Sequence, residues 1–233
     1  MNKKGLLIIG AGGVSTVATL KCAMNIDTFE HITLASRTLS KCVNIKKMIK
    51  EKTNIDIDVA IVDADDTQDV IKIIQKTNCK VVLNVALPYQ DLTIMDGCLA
   101  TGVHYIDTAN YEHPNCAKFQ YKEQWAKDKD FKSQNLTALL GSGFDPGVTG
   151  VFIKYIEQNY LDTIEYIDIM DCNDGDHGYP FATNFNPEIN LREVSANGRY
   201  WKEGKWIETK PLEIKIEHDY PQIGKRASYL LYH

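Results

Sequence analysis

The stretch "LLIIGAGGVSTVATLKCAMN", residues 6–25, joins a short apolar run to a helical pattern through Gly10, Gly12 and Gly13. A strand that enters a helix through such a turn builds a phosphate cradle. The first glycine makes the turn, the second lets a pyrophosphate approach the backbone, and the third lets helix and strand pack closely. Gly10 and Gly12 fill the first two places; Ser15 stands at the third and is small enough to keep packing room. The helix N-terminus at Gly13 and Val14 offers N–H groups to an anion. An ordinary strand-to-helix turn also wants glycine. The position after the first strand, before a helical pattern, is what the dinucleotide reading requires.

Working outward, apolar β-branched runs alternate with helical patterns up to about residue 145. The expected strands are "GLLIIG", "HITLAS", "IDVAIV", "KVVLNVA", "VHYID" and "LTALLG". The expected helices cover residues 14–25, 38–52, 67–77, 89–101 and 116–127. Such alternation predicts βαβ units and a parallel sheet covered on both faces. Six strands in that order predict an α/β Rossmann fold, a doubly wound parallel sheet. Beyond "GSGFDPGVTG" the rhythm changes: a helix over 148–159, a strand "IEYIDIM", a long polar loop, a hairpin "RYWKEGKWIE" and a strand "LEIKIEH". We therefore expect a dinucleotide-binding domain over 1–146 and an α+β second domain over 147–233. The second domain has few elements to cover a sheet face, so a truncated chain is expected.

Composition narrows the function. The 233 residues are 44% hydrophobic and 24% charged, with a formal net charge of -5 and no long basic run, so nucleic acid and anionic membranes have no electrostatic support as partners. No apolar run approaches the roughly 18–20 residues that span a bilayer, and "MNKK" does not open a signal peptide. The six dispersed cysteines form no C-x-x-C pair and no His/Cys cluster, predicting reduced thiols, a cytoplasmic setting and no metal site.

The end of the second strand chooses the nucleotide. An NAD site places an acid there, which would repel the phosphate of NADP, whereas an arginine holds it. The sequence has Arg37 flanked by Ser36 and Thr38, favouring NADPH, with a solvated arginine as the alternative. Asp63 and Ala64 close the third strand, where an adenine or ribose contact is expected; Asp65 or Asp66 suits a helix N-cap. Asn84, Val85 and Ala86 follow the fourth strand at the sheet's carboxyl edge.

"GAGGVS", "SRT", "VDADD", "NVALPY", "HYIDTANYE", "GSGFDPGVTG" and "NFNPEINLREVSANGRYW", in that order, resemble the saccharopine dehydrogenase superfamily, with "NFNPEINLREV" pointing to its carboxynorspermidine (carboxyspermidine) synthase branch. The resemblance implies NADPH-dependent reductive condensation of an amino aldehyde, L-aspartate β-semialdehyde, with a diamine, propane-1,3-diamine or putrescine. It also implies a homodimer built largely through the second domain.

Such substrates carry a carboxylate and ammonium groups. Arg192 is the candidate for the carboxylate, Glu188 for an ammonium, and Asn184, Asn186 and Asn190 for directional hydrogen bonds; a polar connecting loop explains the same residues. Asp145 and Pro146 match the family's D-P-G element, expected near nicotinamide and substrate, with a helix N-cap as a compatible role. Asp107, at the end of the "HYID" strand, suits proton relay or amine steering, or else a turn. His177 and Asp176 are weaker candidates for proton shuttling. Two other functions remain open: a saccharopine-type reductase drawing on Lys225 and Arg226, and a non-catalytic NADP(H)-binding domain.

Overall fold

The computed structural model describes residues 4–116, 120–176, 178–179, 182–183 and 186–232. The chain forms two compact units. Unit 1 runs to Tyr111 and resumes from Tyr121 to Gly150; unit 2 holds the stretch from Glu112 to Gln120 and continues from Val151.

Unit 1 contains β1 (Lys4–Ile9), α1 (Gly13–Met24), β2 (Phe29–Ser36), α2 (Leu39–Thr53), β3 (Asp58–Ile61), α3 (Thr67–Thr77), β4 (Cys79–Asn84), α4 (Asp91–Thr101), β5 (His104–Asp107), α5 (Lys122–Trp125), α6 (Asp128–Ser133) and β6 (Ala138–Leu139). The strands form one parallel sheet in the order β3-β2-β1-β4-β5-β6, so the doubly wound expectation is met. Pleating sends Leu6 and Ile8 into one apolar layer, with Ile32, Leu34, Ile45 and Ile49. Leu7 and Ile9 enter the other, with Val70, Ile74, Val82, Ile94 and Tyr105. Both faces of β1 are thus buried, as in a sheet flanked by helices on each side. The order reverses between β1 and β4, and the crevice of such a sheet opens at that switch point, beyond the strands' carboxyl ends.

Local chemistry sets several boundaries. Asp66 caps α3, its carboxylate accepting from the Gln68 amide at 2.8 Å, so of the two aspartates weighed for that role Asp66 fills it. Helix α3 ends at Asn78 in the left-handed conformation. Of the helix expected over 116–127, residues 117–119 lie outside the described residues and α5 covers 122–125, with α6 following at 128–133. Upstream, a tight turn closes through the Cys116 amide onto the His113 carbonyl at 3.0 Å.

Helix α7 (Val148–Tyr160) leads into unit 2, where α8 (Pro187–Ser195) is followed by β7 (Gly198–Lys202), β8 (Lys205–Thr209), β9 (Lys215–Tyr220) and β10 (Gly224–Tyr229). The last four form two antiparallel hairpins, β7 with β8 and β9 with β10. Glu203 and Gly204, both at positive φ, make the first turn. Trp201 and Trp206 face each other across β7 and β8, ring centroids 5.3 Å apart and nearly edge to face at 73°. The Arg199 guanidinium lies 4.2 Å over the Trp206 ring. Among the described residues, the expected strand "IEYIDIM" forms no strand and pairs with none, and its side chains are largely exposed. Part of the expected polar loop is α8: Asn186 accepts from the Glu188 amide at 2.8 Å and Pro187 opens the helix. Among the described residues, no helix is long and apolar enough to cross a membrane.

Candidate functional site

The glycine turn is fixed by its own backbone. Gly10 has φ +116°, and a Cβ there would lie 2.5 Å from the Val85 carbonyl oxygen, so only glycine lets β1 pass this close to the turn after β4. The Gly10 amide donates to Ala35 O and the Val85 amide to Ile9 O, both at 2.9 Å. Ser15 is fully buried and its hydroxyl donates to Gly10 O at 2.6 Å. The residue at the place of the third glycine thus ties α1 to the turn instead of merely leaving room. Gly12 is the N-cap of α1 and offers no capping side chain, while Gly12, Gly13 and Val14 are exposed. A Cβ at Gly12 would meet nothing within 4 Å, so space stands open over the helix N-terminus. An uncapped N-terminus beneath open space fits a pyrophosphate.

Arg37 is exposed at the end of β2 and pairs with Asp65 at 3.3 Å. The Ser36 hydroxyl accepts from the Thr38 amide at 3.2 Å, holding the turn from which Arg37 projects. Asp63 is exposed; its carboxylate accepts from the Asp65 amide at 3.1 Å, and its own amide donates to Asp69 at 2.8 Å. Ala64 is buried. An exposed cation beside an exposed turn suits a phosphate, provided Arg37 exchanges Asp65 for it.

A buried polar network underlies the carboxyl ends of β4 and β5. Asn84 accepts from the Ala86 amide at 3.0 Å and donates to Asp91 Oδ1 at 2.8 Å and to the Tyr105 hydroxyl at 3.0 Å. Gln124 Nε2 donates to Asp107 Oδ2 at 2.7 Å and to Asp91 Oδ2 at 3.3 Å, and Gln124 Oε1 accepts from the Tyr111 amide at 2.9 Å. Asp107 Oδ1 accepts from the Gly141 amide at 2.6 Å. Burial pushes the Asp107 carboxyl up to about 6. Burial, reinforced by Asp107, holds Asp91 well above the usual carboxylate range. Asp107, proposed from sequence for amine steering or proton relay, is only 1% exposed, and both its oxygens are engaged by protein donors. It positions backbone and does not reach outward. Asp91 and Gln124 were not foreseen as functional; "ALPYQDL" reads as a helix entrance, and nothing local marks Asp91 as buried.

The loop after β6 rests on this network. The Ser142 amide donates to Asp107 O at 2.8 Å, Gly143 N to Pro146 O at 3.1 Å and Val148 N to Gly143 O at 3.1 Å. Gly147 sits at φ +139° where a Cβ would come 2.2 Å from Gly143 O, so the loop closes on itself only with glycine there. Asp145 is exposed, and its carboxylate accepts from the Thr149 hydroxyl at 3.2 Å; Pro146 is half-buried.

In unit 2, Arg192 is not held ready for a substrate carboxylate. Its Nε pairs with buried Glu112, Nη1 donates to Pro114 O at 2.7 Å and Nη2 to His113 O at 2.8 Å, so it clamps the 112–114 strap onto α8. Glu112 ends "HYIDTANYE", and nothing in that stretch marks it as fully buried. Glu188 is exposed in the first turn of α8, and Asn190 donates to Asn186 O at 3.4 Å within the same helix. Asn186 is occupied as the N-cap; Asn184 and His177 lie outside the described residues.

Residues 6–139 match the family model described as the saccharopine dehydrogenase NADP binding domain. Carboxyaminopropylagmatine dehydrogenase of Synechocystis sp. is 51% identical over 228 residues, covering 98% of this chain and 56% of that protein. Carboxynorspermidine synthase of Vibrio cholerae is 39% identical over 238 residues, covering 98% of this chain and 57% of that protein. The chain therefore spans a little over half the length of these curated relatives. Among solved structures, apo histidine-tagged saccharopine dehydrogenase (L-Glu forming) from Saccharomyces cerevisiae has a TM-score of 0.67 at 16% identity, covering 97% of this chain and 49% of that one. At that identity the likeness concerns the fold.

Proposed function

The chain belongs to the saccharopine dehydrogenase family, and on that premise we propose that it binds NADPH in unit 1 and belongs to an enzyme that reductively joins L-aspartate β-semialdehyde to a polyamine precursor. The observation that carries this reading is the identity, across 98% of the chain, to proteins named for carboxynorspermidine and carboxyaminopropylagmatine. The first name implies propane-1,3-diamine as the amine, and putrescine is its near homologue. The higher identity to the second relative favours another amine, agmatine, which ends in a guanidinium.

In this proposal the backbone amides of Gly12, Gly13 and Val14 take the pyrophosphate, made accessible by the turn at Gly10. Arg37, between Ser36 and Thr38, takes the 2′-phosphate in exchange for Asp65. Asp63 and Ala64 flank the adenosine, and the Val85–Ala86 backbone, braced by Asn84, walls the crevice. When bound, the cofactor supplies hydride for reduction of the imine carbon. The loop with Asp145 and Pro146 faces that chemistry, and Asp145 is the exposed acid available to move a proton. Asp107 positions this loop from beneath. Glu188 remains the candidate partner for an ammonium, with Asn184, Asn186 and Asn190 near it in sequence, and Arg192 acts by holding Glu112. Residues 1–146 as the nucleotide domain, 147–233 as the substrate and dimer domain, and a homodimer are parts of the same proposal.

The test has two arms. Calorimetric titration of the chain with NADPH and NADH is expected to show tighter binding of NADPH. NADPH oxidation with aspartate semialdehyde is then followed with no amine, propane-1,3-diamine, putrescine or agmatine. Amine-dependent oxidation supports the condensation and ranks the amines. Binding without turnover for every amine would reduce the reading to nucleotide binding by this chain.

A further inference from the structure

Asp91 and Asp107 are 2% and 1% exposed, and a single amide, Gln124 Nε2, donates to both. The ionisable groups that act on or respond to the pair are tyrosines: Tyr105 on β5, Tyr111 just after it, and Tyr121 ahead of α5. Glu123 and Asp145 lie further out, beside Tyr111 and Tyr121. Among the described residues, no lysine, arginine or histidine is hydrogen-bonded to or ion-paired with either carboxyl. Asp91 begins α4, whose N-terminal dipole favours an anion, but that contribution is small against the cost of two adjacent buried charges without a cation. At least one proton therefore stays in the network. The Tyr105 hydroxyl accepts from Asn84, the same amide that donates to Asp91, and so stands beside the pair that Gln124 bridges.

The two arms of this network lead to different parts of the crevice. One runs from Asp91 through Asn84 to the Ala86 amide, fixing the turn that meets Gly10. The other runs through Gln124 and Asp107 to the Gly141 amide, at the root of the loop that ends in Asp145, Pro146 and Gly147. We propose that Asp91 is a positioning residue that ties the Val85–Ala86 turn and the Gly141–Gly147 loop to one buried proton held on the Asp91–Asp107 pair. The inference rests on the nucleotide-binding reading only for the use made of these two walls.

A neutral Asp91 has a close mimic in asparagine, which keeps the bond from Asn84 and loses only the longer of the two from Gln124. An ionised Asp91 has no such mimic. The experiment compares wild type, Asp91→Asn and Asp91→Ala by urea unfolding from pH 6 to pH 9, by hydrogen exchange at the Gly141 amide, and by NADPH affinity. Holding a proton that the unfolded chain releases makes the wild-type unfolding constant climb, relative to Asp91→Asn, by up to about tenfold per pH unit. Asp91→Ala orphans donors of Asn84 and Gln124, so Gly141 exchange is expected to quicken, and NADPH affinity to fall, at least about tenfold, with Asp91→Asn returning both to within about threefold of wild type.

Parallel pH profiles for wild type and Asp91→Asn would overturn the shared proton. Equal losses in Asp91→Asn and Asp91→Ala would overturn it as well, and unchanged Gly141 exchange in a folded Asp91→Ala would overturn the positioning role. If Asp91→Ala does not fold, the profile and the Gly141 exchange of Asp91→Asn decide the matter alone. A wild-type chain that shows the pH slope but binds no NADPH refutes the nucleotide reading and leaves the shared proton standing.

Discussion

Gly10→Ala and Gly12→Ala separate the folding role of the glycine turn from its binding role. At Gly10 an added methyl group meets backbone, with Val85 O at 2.5 Å, Val85 C at 2.6 Å and Ala86 N at 2.7 Å, none of which can rotate away. The residue must also hold φ +116°, which costs an L-residue about 1–3 kcal/mol. Relieving the overlap by shifting β1 from the turn after β4 adds roughly 1–3 kcal/mol more. The total, roughly 2–6 kcal/mol, is a large share of a domain's stability and corresponds to a fall in Tm of at least about 4 °C. At Gly12 the methyl group meets nothing, and the backbone is already extended at φ -103°. The weaker N-cap and the stiffer unfolded chain offset each other, leaving stability within about 1 kcal/mol of wild type. That methyl group does stand where a pyrophosphate must approach, so NADPH affinity is expected to drop about tenfold or more. Urea unfolding followed by circular dichroism, with NADPH titration of the same samples, reads both effects. A Gly10→Ala protein as stable as wild type, or a Gly12→Ala protein that binds NADPH normally, would refute the reasoning.

Arg37→Ala is expected to weaken NADPH about 10- to 100-fold and NADH less than about threefold, as befits loss of a charge-assisted phosphate contact. Its pair with Asp65 is exposed, so urea midpoints should barely move. Asp65→Asn, which removes the competing partner, should tighten NADPH several-fold in the same titration. Arg192→Ala leaves Glu112 buried without its cation and should cost about 3 kcal/mol in unit 2, seen as an earlier urea transition and faster proteolysis of the 112–116 strap. Asp107, raised to about 6, keeps its proton in the folded chain after the unfolded chain has lost it, so stability should fall as pH rises from about 4 to about 6, by up to about 3 kcal/mol. Urea midpoints that rise across that interval would contradict the assignment.

The sheet was legible because its signals are local. Apolar runs, the glycine turn and helix stops such as Asn78 each act within a few residues, and together they specify six strands in order. Helix α8 was expected as polar loop because of the density of asparagines around it; its local signal, Asn186-Pro187 as a cap followed by proline, is only two residues long. The segment 164–170 has the alternation of a strand, and alternation says nothing about whether a partner lies alongside. The site was legible only where it is backbone. Gly10, Gly12 and Arg37 carry their meaning in their own conformations or charges, whereas Asp91, Gln124 and Glu112 acquire theirs from residues 17 to 80 positions away, through bonds that no short window contains.

The paired indoles of Trp201 and Trp206 give unit 2 an optical signature of its own. Two chromophores 5.3 Å apart at 73° couple their transitions and produce a split circular-dichroism band that vanishes when β7 and β8 part. Trp125, on α5 in unit 1 and 63% exposed, has no such neighbour among the described ring pairs and responds through its emission. One cuvette and two wavelengths can therefore time the melting of the hairpin separately from that of the nucleotide-binding sheet.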